Sequence, residues 1–222
     1  MIELPASTVF NRRVPKQRFY DNLSVNAKLK RAFTDQIAQI VWRNKISAST
    51  TNLKAGERVQ EIEVIAIKLN QHDLDTKVLE QIDKEIPYHI LFLLEQGDEV
   101  QAWISYKEAS QTKPGTFKPG VYYHTDWMDE GSLSLKLSGL DMDTAYESFI
   151  RQIAGERLEG DVRATGYDVK EAIDRDLQRQ KLQCEIAALE KKIQTEKQFN
   201  RQVELNEELK RLQAVEGGKE GE

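Results

Sequence analysis

The sequence predicts an α+β domain with a small mixed or antiparallel sheet packed by helices, followed by a long C-terminal coiled-coil helix. Three observations predict it. EIEVIAIKL, Glu61 to Leu69, is apolar on both alternating faces, as a covered central strand is. Helical and strand periodicities alternate over the first 155 residues in the order β-α-β-β-β-α. From Lys170 to about Val215 there is no Gly or Pro, and apolar residues recur at coiled-coil spacing.

Residues 1–25 read as irregular because Pro5 and Pro15 interrupt them, with Asn22 or Ser24 as a cap for the next element. NAKLKRAFTDQIAQIVWRN then predicts one helix, with Leu29, Phe33, Ile37, Ile40 and Val41 on its apolar face. DLDTKVLEQIDKEIP predicts a second, begun by an Asp cap and stopped at Pro87, with Leu74, Val78, Leu79, Ile82 and Ile86 inward. YHILFLLE and VQAWISYKEA form a hairpin about QGDE. After the loop SQTKPGTFKPG come the strand VYYHTDWM and a short strand in GSLSLKLSG. A helix follows over DMDTAYESFIRQIA, capped by Asp141 or Asp143, with Ala145, Phe149, Ile150 and Ile153 inward. The domains are therefore 1–155, a linker at 156–169 marked by Gly160 and Gly166, a coiled-coil helix at 170–215 and a disordered tail at 216–222.

The helical seam consists of Leu182, Ile186, Leu189 and Ile193, slips at Glu196, and resumes as Val203, Leu205, Leu209 and Leu212. A helix of ~45 residues would be ~68 Å long and cannot bury that seam alone. These residues are the expected partner interface, toward a partner chain or another helix.

At 222 residues the chain suits one domain with an extension, and its 31% charged residues fit a solvated helix. No apolar run reaches the roughly 18 residues a membrane span needs, and the N-terminus has no apolar signal core. With Cys184 the single cysteine, a disulfide framework is excluded and the cytoplasm is expected. The net charge of -5 divides into +7 over residues 1–58 and -12 over the remainder. That basic part carries Arg12, Arg13, Lys16, Arg18, Lys28, Lys30, Arg31, Arg43 and Lys45, interleaved with Phe10, Phe19, Tyr20 and Trp42. Cations and aromatics in this mixture are the candidate contacts to nucleic-acid phosphates and bases, although surface charge clusters are common without a ligand.

Metal-dependent nucleases place carboxylates and a lysine on one strand face. Here Glu63, Lys68 and Asp126 are the candidates, but Ala66 stands where the partner carboxylate of Lys68 belongs and Glu63 lies on the opposite face. His72, His89 and His124 sit on separate elements, short of the three or four ligands a metal site needs. No phosphate-binding glycine loop or nucleophile motif is present, so no cofactor or metal is expected.

Several stretches together resemble a bacterial and archaeal family catalogued as a domain of unknown function. They are LPASTVFNRRVPKQRFYDNL, LKRAFTDQIAQIVWRNKISASTTNL, EIEVIAIKLNQ, LEQIDKEIPYHILFLLE, VYYHTDW and GLDMDTAYESFIRQI, covering roughly residues 3–153. The resemblance implies a gene neighbourhood with helicases and DNA methyltransferases, in loci like restriction or phage-defence systems. It carries over no catalytic residues. The function expected is a non-enzymatic adaptor of a DNA-targeting, restriction-like defence system, assembling through its coiled coil with a helicase, a methyltransferase or itself. The alternatives are a degenerate metal-dependent nuclease and a DNA-binding dimer.

Overall fold

The structure, a computed structural model, describes residues 2–20, 26–109, 117–159 and 168–218. The expected caps Asn22 and Ser24, the loop at 110–116, the linker glycines and the end of the expected tail at 219–222 lie outside these residues. The chain divides into two compact units, Met1–Gly155 and Glu156–Glu222.

The first unit is the α+β domain. Its main sheet follows the order β2 (Val9–Val14), β3 (Ile37–Ser47), β4 (Glu61–Leu69), β5 (His89–Gln96), β6 (Glu99–Ala109), β7 (Phe117–His124). All neighbours are antiparallel except β4 and β5, which run parallel and are joined through α2 (Thr76–Glu85). β8 (Met128–Asp129) pairs with the start of β6, while β1 (Ile2–Glu3) and β9 (Leu135–Lys136) make a separate two-stranded ribbon. In the β5–β6 hairpin Gly97, at φ 60°, takes the left-handed position of the two-residue turn.

Strand β4 is central, as its two apolar faces predict. Ile65, Ile67 and Leu69 join Ile90, Phe92 and Leu94 in a core shared with Val78, Leu79 and Ile82 of α2 and with Phe33 of α1 (Ala27–Asp35). The opposite face buries Ile62, Val64, Leu91, Leu93 and Ile104. α3 (Met142–Ala154) packs against β4, β6 and β7, burying Ala145, Phe149, Ile150 and Ile153 as expected. Each such large side chain removed from water contributes about 1.5–3 kcal/mol.

Two expectations about the N-terminal part are overturned. The helix read as running to Asn44 stops at Asp35, and Ile37, Ile40 and Val41 belong to β3. The cause is a bulge between Ile37 and Gln39, which shifts the phase so that Ile37 and Ile40 are both fully buried three residues apart. A bulged strand of β-branched residues thus imitates helical spacing. The stretch read as irregular contains β2, an edge strand with its own bulge between Val9 and Arg12, where Asn11 has φ 46°.

Asp141 caps α3 in a capping box with Thr144, accepting from its backbone N–H at 2.8 Å. Asp143 has a different task. Its carboxylate accepts from the backbone N–H of Glu57, Arg58 and Val59 at 2.9, 3.1 and 2.7 Å, tying the loop before β4 to α3. Gly56 leaves the room: a Cβ there would meet Asp143 Oδ1 at 2.4 Å. Asp143→Ala is expected to destabilise the domain by about 2–3 kcal/mol, because three donors lose a charged acceptor. Asp141→Ala, which removes one exposed capping acceptor, is expected to cost less. Urea unfolding of the two variants tests this ranking, and equal losses would contradict it.

The second unit holds α4 (Glu156–Glu159), α5 (Val169–Thr195) and α6 (Phe199–Gly218). The single helix expected over 170–215 is broken at Glu196–Gln198. Glu196 leaves the helical region at ψ 131°, and its carboxylate accepts from Lys197 N and Gln198 N at 2.8 and 2.9 Å. α6 then packs back on α5 as a helical hairpin. Gln202 Nε2 crosses to the carbonyl of Ile193 at 3.3 Å. Ile186, Leu189 and Leu205 are buried, and Leu182, Ile193, Leu209 and Leu212 are half-buried. Most of the expected interface is therefore spent inside the hairpin. Val203 is not: it is exposed, as is Cys184. Asp176, also buried, is held by Arg157, Arg179 and Gln180 at 3.4, 3.1 and 2.7 Å.

Candidate functional site

A cavity of about 240 Å³ opens beside the N-terminal ends of β4 and β5. Its walls are apolar and aromatic, from Phe19, Trp42, Ile65, Ile86 and Tyr88 among others. Its rim carries two exposed charges of opposite sign, Arg18 and Glu85. Glu63 lies in the wall and is 1% exposed. The register explains why. Trp42 on β3 lies opposite Ile65 on β4, so its ring covers the same sheet face as Glu63. The indole Nε1–H of Trp42 is shared between Glu63 Oε2 at 2.6 Å and the carbonyl of Asn44 at 3.1 Å. The indole also packs 4.4 Å from the Phe10 ring, which carries the Arg12 guanidinium above it at 4.5 Å.

The second oxygen, Glu63 Oε1, is out of reach of solvent, and the Glu63 carboxyl also interacts with the carboxyl of Glu61. Burial pushes the Glu63 carboxyl up to about 8, against the pull of the Trp42 hydrogen bond and of Lys45, and the neighbouring Glu61 adds to the rise. Lys45 pairs with Glu61 at 2.7 Å, and that bond raises the Lys45 ammonium. Glu63 is thus a proton-holding group near neutrality in an apolar wall.

A second polar cluster is closed. Asp83 of α2 and Lys107 of β6 pair at 2.8 Å with side chains 1% and 0% exposed. Ser105 Oγ donates to Asp83 Oδ2 at 2.9 Å, and the Tyr122 hydroxyl donates to the same oxygen. Lys107 also reaches the carbonyl of Tyr88 at 2.5 Å, and Tyr146 of α3 donates to the carbonyl of Ser105 at 2.5 Å. Burial lowers the Lys107 ammonium, opposed by Asp83, and raises the Tyr122 and Tyr146 hydroxyls. His89, edge-on to Tyr146 at 4.6 Å, is pushed down to about 3 by burial and by Lys107. The space beside this cluster is about 10 Å³, near the minimum for a single water. The cluster ties α2 and α3 to β6 and has no room for a substrate.

The residues read as nuclease candidates are not gathered. Glu63 and Lys68 stand five positions apart on β4 and point to opposite faces, ~16 Å apart along the strand. Lys68 and Asp126 are exposed while Glu63 is buried. Among the described residues no three His, Cys, Asp or Glu side chains could share a metal ion. The basic residues divide. Lys16 Nζ donates to the carbonyl of Ile37 at 2.6 Å, Arg43 pairs with Glu95 at 3.1 Å, and Lys45 pairs with Glu61. Lys30 lies 5.2 Å over the Tyr20 ring. Arg12, Arg13, Arg18, Lys28 and Arg31 are exposed on β2, the turn after it and α1. The reading by spacing missed the Trp42–Glu63 cavity and the Asp83 cluster. Their signals were charges inside apolar runs, Glu63 in the central strand and Asp83 beside Ile82 on a buried helix face.

A family model described as a domain of unknown function, DUF4391, matches residues 2–215. The chain belongs to the DUF4391 family. The DUF4391 match runs through α5 and α6, so the helical hairpin is part of the family's domain and the resemblance over 3–153 was drawn too short. No curated protein and no solved structure matches this DUF4391 chain. Among its described residues no helix is long and apolar enough to cross a membrane.

Proposed function

We propose that this chain is a non-enzymatic assembly subunit whose helical hairpin docks a second protein. The observation that carries this reading is the outer surface of α6. The hairpin already buries its own seam, yet Phe199 remains 76% exposed and Val203, one turn further on, 43% exposed. Two large apolar side chains four residues apart on a solvated helix are the anchors a partner groove would take. Leu177 and Val215 add exposed apolar surface to the same unit. The closed Asp83 cluster and the separation of Glu63, Lys68 and Asp126 support a role without catalysis. The resemblance to proteins of defence-like loci points to a helicase or DNA methyltransferase as the partner.

The test is co-purification of the full chain from its host, with identification of the bound proteins. The double variant Phe199→Asp/Val203→Asp is expected to lose the partner while unfolding at the same temperature as the parent. Retention of a helicase or methyltransferase by the double variant, or capture of the chain's own copies alone, would overturn the reading.

A further inference from the structure

We propose that the cavity beside Trp42 takes one base of a single-stranded nucleic acid, while Arg12 and Arg18 hold the flanking phosphates. Charge supplies the first argument. Residues 9–34 contain seven Lys or Arg and one Asp or Glu. Elsewhere in the α+β unit the cations are neutralised: Arg43 pairs with Glu95 at 3.1 Å, Lys45 with Glu61 at 2.7 Å and Arg58 with Glu147 at 2.5 Å. Arg12 and Arg18 are exposed and, among the described residues, neither makes an ion pair with an acid. Glu85 shares the cavity rim with Arg18 without pairing to it. Guanidinium groups left uncompensated in one neighbourhood suit an anionic ligand.

Aromatic surface joins the two arginines. Arg12 lies opposite Trp42 in the β2–β3 register, and its guanidinium stands 4.5 Å above the Phe10 ring. That ring packs 4.4 Å from the Trp42 indole. Trp42 and Arg18 both line the cavity, to which Phe19 and Tyr88 add ring surface. Phe10, Trp42 and Tyr88 are half-buried, so each keeps some surface for a ligand. Strands are bound by this combination: every base offers a π-face to a ring, and arginines track the backbone.

The shape of the site selects among anionic ligands. Its volume of about 240 Å³ lies below the ~300–1,000 Å³ of sites for drug-sized ligands and suits one flat heterocycle. The rings are recessed, whereas a membrane surface takes projecting apolar side chains. An acidic peptide would satisfy the arginines without filling a ring-walled cavity. Bases of a duplex are paired and stacked and cannot enter, so the strand is single. Every residue of the site belongs to the α+β unit, so the proposal is independent of docking by the helical hairpin.

The experiment is fluorescence anisotropy of the full chain with labelled DNA and RNA strands of about twelve nucleotides over a range of salt. A duplex, thymidine monophosphate, polyglutamate and phosphatidylserine vesicles serve as competitors. At least one of the two strands is expected to bind, and each competitor is expected to be at least ten-fold weaker. Arg12→Ala/Arg18→Ala is expected to flatten the slope of log affinity against log salt by about 1.4, or ~0.7 per phosphate lost. Trp42→Leu and Tyr88→Ala are each expected to weaken binding at least about five-fold with the slope unchanged, and Trp42→Phe to stay close to the parent. Lys191→Ala/Lys192→Ala, an equal change of charge on the hairpin, is expected to alter neither affinity nor slope. Absence of strand binding, any competitor matching the strand, an unchanged slope in Arg12→Ala/Arg18→Ala, or full affinity in both Trp42→Leu and Tyr88→Ala would each overturn the proposal.

Discussion

Asp83→Ala is expected to cost about 3–5 kcal/mol of stability. The substitution removes the counter-ion of Lys107 and the shared acceptor of Ser105 and Tyr122 in one step. Lys107 would then be a buried ammonium with only backbone carbonyls, those of Tyr88 and Asp83, for company. Lys107→Met is expected to cost less, about 2–3 kcal/mol, since Asp83 keeps two hydroxyl donors and can take up a proton. The two losses should not add. Once Asp83 is gone, replacing Lys107 by methionine removes an uncompensated charge, so Asp83→Ala/Lys107→Met is expected to be more stable than Asp83→Ala alone. Urea unfolding of the three variants gives the cycle, and strict additivity would show that the pair does not act as a unit.

The pH dependence of stability is expected to be a plateau with two falling limbs, set by Glu63 and His89. Glu63 titrates at about 8 when folded and near 4.5 when unfolded. The folded state therefore holds the extra proton between those values, and stability falls as pH rises through that window. His89 titrates at about 3 when folded and near 6.5 when unfolded. There the unfolded state holds the extra proton, and stability falls as pH drops through that window. Between about pH 4.5 and 6.5 the two slopes oppose and offset each other. From pH 6.5 to 8 Glu63 acts alone, at up to about 1.4 kcal/mol per pH unit, and below pH 4.5 His89 does the same in the opposite direction. Glu63→Gln is expected to flatten the alkaline limb and His89→Gln the acid limb. Thermal unfolding at pH 4, 5.5, 7 and 8.5 separates the two, and an alkaline limb that persists in Glu63→Gln would assign it to another group.

What could be read without coordinates was whatever depends on local pattern. The central strand Glu61–Leu69, the buried stripe of α2, the β5–β6 hairpin and α3 each follow from spacing and caps within a dozen residues. What could not be read depends on partners distant in sequence. β3 imitates a helix because a bulge, fixed only by pairing with β4, alters its alternation. The hairpin turn at Glu196–Gln198 contains no Gly or Pro; the slip in the seam marked the place, but only the packing of α6 on α5 shows a reversal. The cavity needs Trp42 and Glu63 brought together over 21 positions by the β3–β4 register. Glu63 stood out in the sequence as an acid in an apolar strand, yet without Trp42 beside it the strand suggested only a comparison with nucleases.

The outer strands of the main sheet bear on how copies of this protein meet. β2 is interrupted by its bulge at Asn11 and bears two exposed arginines. At the other margin β7 contains Pro119, which has no N–H to offer, followed by Gly120, where a Cβ would lie 2.6 Å from the carbonyl of Tyr106. Neither margin is a flat, unbroken row of donors and acceptors on which another chain could template itself. A central strand with six apolar side chains among its nine residues is thereby kept away from any edge that could seed fibre-like polymerisation.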